Sequence, residues 1–136
     1  MEATWGTAAL NTQTIEAAQK VLRVVGRIME EWGLSPAQEQ KLLGVSKSTW
    51  QAWKGGDVRA PLDAACAERV SYILRIYEAL GTLIPIPERA VAWVSLANSA
   101  PLFGGKPALA RMLGGQVGDL MVVADYLDAQ RGGSFS

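Results

Sequence analysis

At 136 residues and 14.6 kDa the chain has room for one ordinary domain, or for two small helical modules sharing a core, and not for a large multidomain enzyme. Apolar residues make up 49% and charged residues 19%, below the typical charged share of about 25%, which excludes intrinsic disorder outside the ends. Thirteen basic and thirteen acidic residues leave a formal charge of zero, which excludes a surface that grips polyanions everywhere; the absence of histidine removes the usual neutral-pH general base and the commonest metal ligand.

Residues 1–14 lack the basic start and apolar run of a signal peptide and read as a flexible arm carrying Trp5. From Ile15 the apolar residues Ile15, Ala18, Leu22, Val25, Met29 and Trp32 step by three and four, which predicts one face of a helix. Asn11, Thr12 or Thr14 can cap its start, and Gly33 stops it. Ser35-Pro36-Ala37-Gln38 reads as a capping box with proline at the first helical position, so a short helix is predicted from about Pro36 to Leu43. Gly44-Val45-Ser46 interrupts it, Ser46 can cap a second short helix, and Gly55-Gly56 ends that helix after Lys54.

Beyond a polar loop with Asp57, Arg59 and Pro61, the residues Leu62, Cys66, Val70, Ile73, Tyr77 and Leu80 again step by three and four, with Gly81 as the expected stop. A second stripe through Leu74 and Ile76 predicts burial on more than one side, as in a central helix. Pro85-Ile86-Pro87 is a corner, followed by an expected helix over 88–97 carrying Val91, Trp93 and Val94, and then a loop over 98–106. A helix of one or two turns is expected over 107–113. A last amphipathic helix, 117 to about 130, presents Val117, Leu120, Ala124 and Leu127, and the glycine-rich tail follows from Arg131. No period-2 strand, internal repeat or membrane-length apolar run is visible, so the chain reads as all-α.

Two short helices split by a glycine turn are the geometry that offers a second helix to the major groove of DNA. Leu42, Leu43, Val45, Trp50 and Trp53 are the inward residues of that reading, and Ser46, Lys47, Ser48, Gln51 and Lys54 the DNA-facing ones. Glutamine pairs with adenine edges, lysine with guanine or phosphate, and a serine at a helix N-terminus with phosphate. A tight hairpin with solvated polar residues fits the same spacing. Lys20, Arg23 and Arg27 add a basic side to the first helix, which reads equally as a solvated face. Lys47, Lys54 and Arg59 against Asp57 leave a local excess of only two positive charges, so useful affinity for operator DNA calls for a homodimer.

The stretch LSPAQEQKLLGVSKSTWQAWKGG (34–56) resembles the Xre-type helix-turn-helix, although Gln40 stands where such helices usually carry a small residue. It is followed by AERVSYILRIYEAL (67–80), PLFGGKPALARML (101–113) and YLDAQRGG (126–133), and in this order the pieces resemble the Xre/MbcA/ParS class of antitoxins. The resemblance implies a helix-turn-helix module over 15–66 packed with a helical toxin-binding domain over 67–136, in a hetero-oligomeric complex with a cognate RES-domain toxin that consumes or transfers ADP-ribose from NAD. It implies that catalysis belongs to that partner, that the C-terminal segment covers its active-site cleft, and that the chain represses its own operon. The positions it places against the toxin are Tyr126, Leu127 and Asp128 on the last helix, then Arg131, Gly132, Gly133 and Phe135, where the glycines let backbone approach closely and Ser136 adds a carboxylate.

Rival readings are few. A plain helix-turn-helix repressor whose C-terminal half only dimerises shares most of these features. An enzyme would need Asp125 with Asp128, or Glu30 with Glu31, as its acid and base; for the first pair, surface solvation or salt bridges to a toxin's arginines is the expected role. The glycine pairs 104–105 and 114–115 lack the strand-to-helix context of a phosphate cradle and read as turns. Trp32, Trp50 and Trp53 are expected to pack rather than to stack on bases, and the single cysteine, Cys66, is expected to be a buried, inert thiol in a reducing cytoplasm, with no metal or cofactor.

Overall fold

The computed structural model describes residues 14–132, and the described residues are helical without a named strand. Helix α1 spans Ile15–Glu31, α2 Pro36–Leu43, α3 Lys47–Lys54, α4 Ala64–Leu83, α5 Pro87–Ala92, α6 Ala108–Met112 and α7 Val117–Gly132, with a 3₁₀ turn at Trp93–Ser95. The all-α reading holds. Expectations for the arm, including Trp5, and for Gly133, Phe135 and Ser136 lie outside the described residues.

Local chemistry sets most helix limits. Thr14 Oγ1 accepts the amide of Ala17 at 3.0 Å and starts α1. Ser35 and Gln38 form the expected reciprocal box, the Gln38 amide reaching Ser35 Oγ at 3.2 Å and the Ser35 amide reaching Gln38 Oε1 at 2.9 Å. Asp63 caps α4 through the amide of Cys66 at 2.8 Å. Gly81 does not end α4 as expected. The helix runs on to Leu83 and stops at Ile84, which turns extended because the residue before a proline is pushed out of the helical region. Packing of Ala79 and Leu80 outweighs the roughly 1 kcal/mol that a helical glycine costs.

Helix α5 is shorter than the 88–97 expectation. The chain leaves the 3₁₀ turn at Leu96, because Ala97 pairs with Pro107 in an isolated antiparallel bridge and Asn98 donates its amide to the Lys106 carbonyl at 3.2 Å. That clasp holds the loop, whose Phe103 is buried between two other rings: Trp93 lies edge-on at 5.7 Å and Tyr126 of α7 at 5.3 Å.

One core runs through both halves. Val70, Ile73, Leu74, Ile76 and Leu80 of α4 meet Leu120, Val123, Ala124 and Leu127 of α7 on one side and the apolar side of α1 on the other. The second stripe through Leu74 and Ile76 is buried, as a central helix requires. Ile15, expected on the buried face of α1, stands at the first position of the helix and is 40% exposed among the described residues; Val21 and Ile28 are buried on that helix. Cys66 is buried, and burial first, then nearby Asp63, raises its thiol to about 11, which makes it inert at neutral pH.

Leu127 is fully buried and cannot be a contact on a partner, contrary to its placement among the partner-facing residues. It lies on the inward side of α7, one position from Tyr126 and Asp128. Leu127→Ala should therefore destabilise the fold by about 2–5 kcal/mol through an interior cavity, read as a lower urea midpoint in circular dichroism; an unchanged midpoint contradicts the assignment.

Candidate functional site

Helices α2 and α3 are joined by Gly44, Val45 and Ser46. Gly44 sits at φ +69°, the left-handed region that suits glycine, and its amide and that of Val45 both donate to the Gln40 carbonyl, at 2.8 and 3.2 Å. The half-buried Gln40 is thus accommodated where a small residue was expected, because the turn is closed by its backbone. Leu42, Leu43 and Trp50 are buried; Val45 and Trp53 are half-buried and pack against the core.

The residues assigned to DNA, Ser46, Lys47, Ser48, Gln51 and Lys54, are all exposed. Lys47, Gln51 and Lys54 fall four and three residues apart on α3 and so share one face. Ser46 is the N-cap of α3: its hydroxyl accepts the Thr49 amide at 3.2 Å and donates to Thr49 Oγ1 at 3.0 Å, so cap and phosphate would compete for one group.

Three polar anchors of the fold, two of them beside this face, were not visible in the sequence. Glu39 on α2, only 8% exposed, accepts the Trp50 indole N–H at 2.9 Å and lies 3.7 Å from Lys54 Nζ, whose ammonium also sits 5.7 Å above the Trp50 ring. The buried carboxylate thereby has a donor and a counter-charge, and α3 is pinned to α2. Arg69 of α4 donates to the carbonyls of Lys41 and Leu42 at 3.3 Å each and of Gly115 at 3.0 Å, satisfying the C-terminal end of α2 and tying it to the turn before α7.

The third is Arg75, whose guanidinium donates to Asp125 Oδ1 at 3.0 Å and to Asp128 Oδ2, joining α4 to α7. Burial alone would lower its pKa, but hydrogen bonds to Asp128 and Asp125 reverse that and raise it, so the cation persists at any working pH. The Asp125 and Asp128 pair, one turn apart, was expected to face solvent or a toxin's arginines, and instead both carboxylates are met by Arg75 of the same chain. Asp128 also lies 3.7 Å from Arg131, which is exposed, as is Gly132; both extend α7 past the expected end near residue 130 rather than beginning a tail, and the Asp128 to Arg131 pair spans its last turn. Tyr126 is half-buried against Phe103 with one edge outward.

The fold is a helix-turn-helix whose second helix exposes a polar face, joined through α4 to a second helical unit. Residues 10–75 match the model of the antitoxin Xre-like helix-turn-helix domain, and residues 79–133 match that of the antitoxin Xre/MbcA/ParS C-terminal toxin-binding domain. The uncharacterized protein y4oB of Sinorhizobium fredii is 44% identical over 108 residues, 79% of this chain and 81% of that protein. The chain belongs to the Xre/MbcA/ParS-type antitoxins, which carry a helix-turn-helix and a toxin-binding domain. The two matches meet inside α4.

Gly44→Ala tests the turn. A Cβ there would fall 2.8 Å from Arg69 Nε, on a backbone that already disfavours side chains. The expected loss is about 1–3 kcal/mol, seen as a lower thermal midpoint; a midpoint equal to wild type contradicts the account of Arg69.

Proposed function

We propose that this antitoxin neutralises a RES-domain toxin that consumes NAD or transfers its ADP-ribose, by laying α7 and residues 133–136 over the toxin's active-site cleft, and that as a cytoplasmic homodimer it represses its own operon. The observation that carries the reading is the match of residues 79–133 to a toxin-binding domain, a span that includes the whole of α7. The anchoring of α7 by Arg75 supports it, since a helix presented to a partner binds better when it is ordered beforehand. Tyr126, Asp128, Arg131 and Gly132 supply the outward contacts, and Gly133 and Phe135 the segment that enters the cleft. A cleft shaped for a dinucleotide accepts an aromatic ring flanked by polar backbone. Catalysis rests with the toxin.

On the DNA side, Lys47 and Gln51 read base edges, while Ser46, Ser48 and Lys54 meet phosphates. Repression follows from occupying the operator. Replacing Lys47 and Gln51 together by alanine should cost roughly 1–3 kcal/mol per lost base contact in a gel-shift titration at fixed salt and leave toxin neutralisation intact. Unchanged operator affinity contradicts the reading helix.

The partner assignment is tested by co-expression with the product of the adjacent gene, followed by affinity capture and a growth assay. Deleting residues 133–136 should preserve the complex and lose the protection of growth and of cellular NAD. Full protection by the truncated chain contradicts the plug, and loss of the complex contradicts the separation of binding from blocking.

A further inference from the structure

Helices α1 and α3 enclose a groove of about 480 Å³ whose walls include Arg23 and Arg27 of α1 and Trp53 and Lys54 of α3. Lys54 belongs to two surfaces at once. It is the last member of the Lys47, Gln51 and Lys54 face, and it lies in this groove with its ammonium fixed by Glu39 and the Trp50 ring. The polar face of α3 is therefore continuous with the basic side of α1.

Resting on the DNA reading above, we propose that Arg23 and Arg27, with Lys54 at the junction, grip the phosphate backbone of a duplex seated on α3, extending the protein–DNA contact onto α1. Lys20, Arg23 and Arg27 are exposed and follow at three and four residues, so like charges crowd one stripe of α1, an arrangement that costs a helix unless an anion faces it. None of the three has a carboxylate within ion-pair distance among the described residues, whereas Arg59, Arg75 and Arg111 all do. The planar guanidinium matches phosphate with paired donors. Arg23 and Arg27 stand about 6 Å apart along the axis of α1, a reach that spans successive phosphates of one strand. The stripe is bracketed by Glu16 at one end and by Glu30 and Glu31 at the other, and Arg27 lies near enough to the Tyr77 and Glu31 pair to act on the Tyr77 phenol. Glu30 and the Lys54-paired Glu39 put negative charge in the groove itself, which limits the contact to the stretch around Arg23 and Arg27.

The reading also bears on the chain's neutral formal charge. Lys20, Arg23 and Arg27 of α1 and Lys47 and Lys54 of α3 lie on the two helix faces that the groove joins, whereas Lys41 stands apart beside Gly115. This grouping raises the number of phosphates each copy neutralises without a basic surface overall.

The test is the salt dependence of DNA affinity for the full chain and for the Arg23→Gln, Arg27→Gln double variant. Two probes of about 30 base pairs are used, one from upstream of the gene and one of random sequence. The double variant should bind both more weakly by a similar factor, and its slope of log affinity against log salt should be shallower by about 1.8 for each bound copy, hence about 3.6 for the homodimer, at roughly 0.9 per phosphate contact. The Lys47→Ala, Gln51→Ala variant should instead reduce discrimination between the probes. A wild-type slope in the arginine variant overturns the proposal while leaving the reading helix standing. Wild-type DNA slope with weakened capture of the adjacent gene's product overturns it in favour of a protein face. Absence of binding by the intact chain to either probe at 50 mM salt overturns both readings.

Discussion

Both binding halves of this antitoxin are held against one helix. Helix α4 is apolar on more than one side, and its two partly buried arginines must find partners, because an ionised group taken from water without them is strongly penalised. Arg69 spends its donors on the carbonyls that end α2 and on Gly115, and Arg75 on the two aspartates of α7. These two residues, six positions apart on α4, fix where the helix-turn-helix and the last helix stand. The apolar core between α4 and α7 supplies the free energy, and the arginines supply the register.

This frame separates the two faces chemically. The α3 side is polar and basic, suited to phosphates and base edges, and its stiffness comes from the buried Glu39 and Trp50 pair. The α7 side offers Tyr126 propped on Phe103 and charged groups already partnered within the chain, so in the proposed complex a toxin would meet a surface that does not need to be ordered on binding. In that proposed complex a partner would have to compete for Asp128, which is held by Arg75 and neighboured by Arg131. Arg131, at the exposed end of α7, is freer to meet it.

Helix limits were legible where a cap stands beside a proline or glycine signal: the Ser35 and Gln38 box and the Ser46 cap place α2 and α3 to the residue, whereas the Asp63 cap of α4 lay hidden in a polar loop. They were not legible where tertiary packing overrides a local signal. Gly81 carries a stop signal, yet α4 passes through it, and Leu127 shares the distinctive terminal stretch with contact residues while its side chain points into the core. The exposed α3 face could be read because helical periodicity alone separates it from Leu42, Leu43 and Trp50. The polar anchors could not, because Glu39 to Lys54 and Arg75 to Asp125 are pairings across different helices that no spacing announces. Asp125 and Asp128 were visible as a pair, and only the fold supplies the cation between them.

The claim on which these relations depend is that α4 makes one cooperative unit of the two halves, and equilibrium urea unfolding tests it most directly. In a Trp93→Phe variant, the remaining described tryptophans, Trp32, Trp50 and Trp53, report the helix-turn-helix side, while far-ultraviolet circular dichroism reports all helices. The account predicts a single transition with coincident midpoints by the two probes. Two separated transitions would contradict it, and would mean that the halves fold independently and that α4 belongs to only one of them.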